Sequence, residues 1–291
     1  MTDDQLPVVD IDWHVAPVEL RPDGRRAWAD RLDPPKRVMF LGDTHADTRF
    51  TVAAIGMAAR QNCKVILQVG DFGIWDHVPA GVQFLDQVDA ALRDAGMALI
   101  FVDGNHENFD SLDALPVDPT GFRTVRPNIL HAPRGLLFAV GGVTFLAMGG
   151  AHSIDGPGGK FRPVRGPGNH WWPQEMITME QAGAAMDRVT RFQAAGGRVD
   201  VMLSHDCPED VAIPGIRGYT MGDMNRMRLG AVYECAQPQL LVCGHYHRRH
   251  SARLHRTQIE ILAGNEQAAG NYLVADLDPF RLYVEQQQAR R

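Results

Sequence analysis

Lysine is nearly missing from this chain: three residues (Lys36, Lys64, Lys160) stand against 26 arginines in 291 residues. Cysteine is sparse too. Cys63, Cys207, Cys235 and Cys243 form no CxxC pair and are too few for a disulfide framework, so free thiols in a reducing compartment are expected. An excess of positive charge is also absent. Lys and Arg total 29 against 35 Asp and Glu, a net charge of -6, which excludes bulk electrostatic coating of nucleic acid or an anionic membrane. No apolar run reaches the roughly 18 residues of a membrane helix. The opening MTDDQLPVVD is acidic where a signal peptide is basic and then apolar. A cytoplasmic protein without membrane attachment is the expectation.

What is present is enough apolar material, 45% of residues, to bury a sizeable core, together with twelve histidines. Residues 1–36 mix Pro, Asp and Arg without a clean period and read as an N-terminal extension. Residues 37–291 read as one domain. Its first half alternates short apolar runs with helical stretches: strand 38–41, helix 47–61, strand 65–69, helix 79–95 stopped at Gly96, strand 98–102. Two parallel crossovers are implied. Residues 136–140 and 143–148 around Gly141-Gly142 predict a β-hairpin. A Gly- and Pro-rich stretch at about 151–173 carries no regular element and reads as an inserted loop, the kind of long loop that is usually functional. Helix 178–195, strand 199–203, helix 223–236, strand 240–243 and closing strands at 259–262, 272–275 and 282–284 follow.

The chemistry lies at the strand exits. Strand 38–41 runs into Gly42-Asp43-Thr44-His45, strand 65–69 into Gly70-Asp71, and strand 98–102 into Asp103-Gly104-Asn105-His106-Glu107. Strand 199–203 is followed by Ser204-His205-Asp206, and strand 240–243 by Gly244-His245-Tyr246-His247. The carboxyl ends of strands in open α/β sheets line the ligand crevice, so residues far apart in sequence can converge there. Carboxylate and amide oxygens with imidazole nitrogens are a donor set for Mn, Fe, Zn, Co or Ni, and the lack of Cys in the motifs argues against a structural zinc. Any one Gly-Asp or Gly-His is commonplace. Five in this order, each at a strand end, are not a chance pattern.

That series resembles the calcineurin-like metallophosphoesterases, whose motifs run GDxH, GDx, GNH[DE], an isolated His and GHxH. The resemblance implies an α/β fold, a two-sheet β sandwich flanked by helices, with a binuclear site at one edge. It assigns Asp43, His45 and His247 to one metal, Asn105, His205 and His245 to the other, and Asp71 to both. Two divalent or mixed-valence transition metals are implied (Mn, Fe, Zn, Ni or Co), with Mn the first expectation. The implied reaction is hydrolysis by in-line attack of a metal-bridging hydroxide, with His106 protonating or stabilising the leaving oxygen.

The chain also departs from the family pattern. Protein phosphatases extend the second motif to GDxVDRG, whereas this sequence reads Gly70-Asp71-Phe72-Gly73-Ile74-Trp75-Asp76, without the phosphate-binding Arg or the Asp that orients the catalytic His. Asp76 and Glu107 are the two acidic residues available for that orienting role. Ala46 stands where the first motif usually has Gly. A small, cyclic-nucleotide-like phosphodiester is therefore the expected substrate, ahead of a phosphoprotein or phosphomonoester; a nuclease of the same superfamily is an alternative, and a non-catalytic scaffold is disfavoured by the complete motif set. Lys160, Arg162, Arg165, His170 and Trp171 in the inserted loop are the expected substrate contacts, cations for phosphate and rings for stacking. The run Arg248, Arg249, Arg253 and Arg256 is weak support for nucleic acid and reads first as a solvated face.

Overall fold

A computed structural model describes residues 16–17, 36–153, 171–215 and 221–277. Ala16–Pro17 (β1) pairs with a strand edge far along the chain, so part of the N-terminal segment joins the sandwich. The first repeating unit then begins: β2 (Arg37–Leu41), α1 (Thr48–Arg60), β3 (Val65–Gln68), α2 (Pro79–Ala95) and β4 (Ala98–Phe101), with the three strands parallel. Local chemistry sets the helix ends. The Asp47 carboxylate caps α1, Pro79 opens α2, and Gly96 closes it in the left-handed conformation that glycine adopts without strain.

A short helix α3 (Phe109–Ala114) and the strands β5 (Arg123–Arg126) and β6 (Ile129–His131) complete one side. The hairpin follows as β7 (Leu137–Val140) and β8 (Val143–Met148), then α4 (Met179–Ala194), β9 (Val201–Ser204), α5 (Met221–Ala236) and β10 (Leu240–Cys243). β11 (His250–Leu254), β12 (Thr257–Ile261) and β13 (Tyr272–Asp276) close the described chain. The strand expected at 282–284 lies outside the described residues.

Two mixed sheets result, in the orders β13-β2-β3-β4-β6-β5 and β1-β7-β8-β9-β10-β12-β11. Their period-2 alternation divides each strand between two cores. Val38, Phe40, Val65 and Leu67 pack between the sheets against Phe138, Phe145, Val201 and Leu203, while Met39, Leu41 and Ile66 face α1 and α2. On the opposite outer face Leu146, Met202 and Leu241 meet residues of α4 and α5. Strands buried on both faces must be apolar throughout, which is why they read as unbroken runs. Among the described residues no helix is long and apolar enough to cross a membrane.

Candidate metal centre

The exits of β2, β3, β4, β9 and β10 meet at one place. Asp43 and Asp71 are 0% and 1% exposed, so two carboxylates are withdrawn from water side by side. His45 Nε2 lies 3.2 Å from His247 Nε2, and His247 Nε2 lies 3.3 Å from Asp43 Oδ2. One donor atom from each of Asp43, His45, Asp71 and His247 falls within 4.8 Å of the others. A second group adjoins the first: His205 Nε2 is 3.2 Å from Asn105 Oδ1, and the His245 ring lies 5.1 Å from the His205 ring. Asp71 Oδ2 stands between the groups, 4.0 Å from His45 Nε2 and 3.3 Å from His205 Nε2. Converging oxygen and imidazole donors around buried negative charge fit a divalent transition metal.

Close backbone approach makes this packing possible. A Cβ on Gly104 would collide with Asp71 Oδ1, and one on Gly244 with Asp43 Oδ1, so the motif glycines leave room for the carboxylates. Strain gathers here as well. Of eight non-glycine residues with positive φ among the described residues, five belong to these loops: His45 (45°), Ala46 (56°), Asp71 (53°), His245 (69°) and His247 (51°). Such conformations cost about 1–2 kcal/mol each, persist only where the surroundings enforce them, and cluster at functional sites. Ala46 thus adopts the left-handed turn that the usual glycine would take freely.

Electrostatics follow from burial around Asp71. Burial works to raise the Asp71 carboxyl, but the neighbouring His205, His106 and His45 hold it well below the usual carboxylate range. Burial would lower His205, yet the Asp71 carboxylate pushes it up to about 10. Burial pushes His245 down to about 4 and lowers His45, which favours the neutral imidazole that binds metals. The Asp43 hydrogen bond raises His247.

His106 is fixed by its backbone. Its N–H donates to Asp71 Oδ1 at 2.9 Å, and its carbonyl accepts the Trp75 indole N–H at 2.8 Å, which sets its ring 5.7 Å from that of His45. Neither acidic residue offered for orienting His106 makes a hydrogen bond to it. Glu107 spends both oxygens on the backbone N–H groups of Phe72, Gly73 and Ile74, and Asp76 meets the Asn108 side-chain amide. Trp75, which sequence reasoning does not single out, holds the residue instead. Behind His245, the Tyr246 ring packs edge-on and its hydroxyl donates to Asp206, which also accepts from the Asn225 amide at 2.9 Å.

Of the expected substrate contacts, Lys160, Arg162, Arg165 and His170 lie outside the described residues. Trp171 is half-buried, with an indole N–H that finds no partner among the described residues. Both stems of the inserted loop are held by Glu175, which accepts the backbone N–H of Ser153 at 2.7 Å and of Trp172 at 3.5 Å. Burial pushes its carboxyl up to about 7 from 4.5. The folded state therefore keeps a proton that the unfolded chain releases near pH 4.5, so this group's contribution to stability declines as pH rises from about 4.5 to about 7, by ~3 kcal/mol. In urea titrations across that range, Glu175→Gln should lack this decline. Parallel curves for the two proteins would contradict the assignment.

A family profile described as calcineurin-like phosphoesterase matches residues 36–249. No curated protein matches the sequence. Among solved structures, a dimetal phosphatase from Danio rerio superposes with a TM-score of 0.53 at 15% identity, covering 84% of this chain and 93% of that one. The protein TT1561 of Thermus thermophilus gives 0.52 at 12% identity, covering 84% and 95%. GAP50, the anchor in the inner membrane complex of Plasmodium, gives 0.50 at 12%, covering 82% and 75%. At such identities the likeness shows the fold alone, and function has to be argued from the site. The fold is the two-sheet sandwich flanked by helices, and the chain belongs to the calcineurin-like phosphoesterase family.

Proposed function

We propose that this protein hydrolyses small phosphodiesters of the cyclic-nucleotide kind, using two divalent cations of which Mn is the first choice. Asp43, His45, Asp71 and His247 hold one cation, and Asp71, Asn105, His205 and His245 the other. The observation that carries this reading is the placement of Asp71 Oδ2 between the two donor groups, within 4.0 Å of both His45 Nε2 and His205 Nε2. When bound, such cations supply a water-derived nucleophile at neutral pH and positive charge to offset the phosphoryl oxygens. The remaining work belongs to the chain. Asp43 and Asp71, sealed from solvent, offer cations a negative charge that water does not screen. His106, its backbone held by Asp71 and Trp75, is the residue that serves the leaving oxygen at the rim of the site.

A diester is favoured because the second-motif loop offers no guanidinium to a phosphomonoester dianion. Residues 72–74 are pinned by Glu107, and the indole that follows is turned onto His106. Lys160, Arg162, Arg165, His170 and Trp171 complete the substrate side of the proposal. Nucleic acid is disfavoured by the net charge of -6, and within the basic run Arg249 is neutralised by Glu260. The proposal also keeps a cytoplasmic setting.

The test is a substrate panel on Mn-reconstituted protein: cyclic nucleotides, an aryl phosphodiester, phosphomonoesters and single-stranded DNA. Diesters should turn over fastest; faster monoester hydrolysis would make the protein a phosphatase. His106→Ala should retain its cations and lose about 10²–10⁴-fold in turnover, most for poor leaving groups. An equal loss for good and poor leaving groups would remove His106 from the proton-transfer role.

A further inference from the structure

The loop between β12 and β13 crosses from one sheet to the other at the rim of the metal centre and lies beyond the segment matched by the family profile. It is tied to the first motif by its backbone: Asn265 N–H donates to the Asp43 carbonyl at 2.9 Å, and Gly42 N–H to the Asn271 carbonyl at 2.8 Å. The Asn265 side-chain amide reaches Asp47 at 3.3 Å. One carboxylate on this loop turns inward. Glu266 Oε1 lies 2.8 Å from His247 Nδ1, while Oε2 folds back over Gly264, where an added Cβ would sit 2.5 Å from it.

A carboxylate at Nδ1 places the imidazole proton there and leaves the Nε2 lone pair for a ligand. In His247 that Nε2 is the atom 3.2 Å from His45 Nε2 and 3.3 Å from Asp43 Oδ2. His247 is also among the more exposed members of the cluster and sits at positive φ, so its ring needs an external brace.

We propose that Glu266 is a positioning residue that fixes the tautomer and ring orientation of His247 for cation binding. The inference rests on the metal-site reading above. It extends the working centre past the matched family segment, to a loop whose role is to aim a ligand.

The experiment titrates Mn(II) into the metal-free protein by calorimetry and follows Co(II) substitution by visible absorption, so that binding is read without turnover. Glu266→Ala should weaken the ion held with His247 about 10–100-fold and alter the Co(II) spectrum. Glu266→Gln keeps an acceptor for the Nδ1 proton and should recover most of the affinity, a rescue that a general structural defect would not give. Thermal midpoints of the metal-free proteins should coincide, since the Glu266 side chain is 40% exposed. Affinity for Glu266→Ala within twofold of wild type, with His247→Ala severely weakened, overturns the role of Glu266 alone. If wild type takes up no ion, or His247→Ala binds as well as wild type, the metal-site reading fails and the positioning role with it.

Discussion

Asp71→Asn is expected to abolish cation binding at the shared position and to lower turnover beyond the roughly 10–100-fold that loss of an outer partner of a metal ligand typically costs. The substitution is chosen for its backbone. Asp71 has φ 53°, a conformation that Asn tolerates better than other side chains, and Asn keeps the shape and an oxygen for the His106 N–H. What it removes is the negative charge between the two donor groups. In the metal-free protein that charge is paired with buried His205, so the metal-free form should lose stability, and the readout is the response to added ion rather than the starting Tm. The stabilisation that wild type gains from added Mn(II), seen as a rise in Tm, should vanish. A variant that still gains stability from the ion would show that Asp71 is not shared.

The second large effect concerns a buried ion pair behind the third motif. Asp103 follows β4 and is two residues before Asn105; its Oδ2 accepts from Arg134 at 2.6 and 2.8 Å, and its Oδ1 lies 3.2 Å from His131 Nε2. Burial would raise the Asp103 carboxyl, but Arg134 and His131 hold it well below the usual range. Arg134 also donates to the carbonyls of Gln174, Glu175 and Met176 and to the Gln181 side chain, so it joins the third motif to the base of the inserted loop. Arg134→Met leaves Asp103 charged and buried without its main partner. The expected loss is about 3–5 kcal/mol in urea unfolding, with Tm lower by on the order of 10 °C. Adding Asp103→Asn should recover part of it. A loss below about 1 kcal/mol would contradict the assignment of this pair as a structural hub.

The legibility of the site in the sequence has a physical basis. Parallel strands covered on both faces must be continuously apolar, so β2, β3, β4, β9 and β10 stand out, and the donors sit in the residues immediately after them. Glycines that admit a carboxylate beside a backbone leave a mark of their own, as Gly104 and Gly244 do. β6 and α3 are less visible because they are short, and β5 and β11, reading RTVR and HSARL, are edge strands of mixed polarity.

The partners of the donors are hidden for another reason. Trp75 reaches His106 across 31 positions, Glu266 reaches His247 across 19, and Arg134 reaches Asp103 across 31. No local pattern encodes such pairs; they exist only once the loops are folded against each other. Glu107 illustrates the same limit from the other side. Its place in the third motif is plain, but its use as an acceptor for three backbone N–H groups depends on where the second motif turns. The left-handed conformations of Asp71, His245 and His247 are equally silent, since nothing in an Asp or a His announces a positive φ.

Whether the two donor groups share Asp71 is decided by the electron paramagnetic resonance spectrum of the Mn(II)-reconstituted protein. Two equivalents of Mn per chain and a spin-coupled spectrum are expected, replaced in Asp71→Asn by the signal of unbound Mn(II) alone. A single equivalent with an isolated six-line signal in wild type would contradict that sharing.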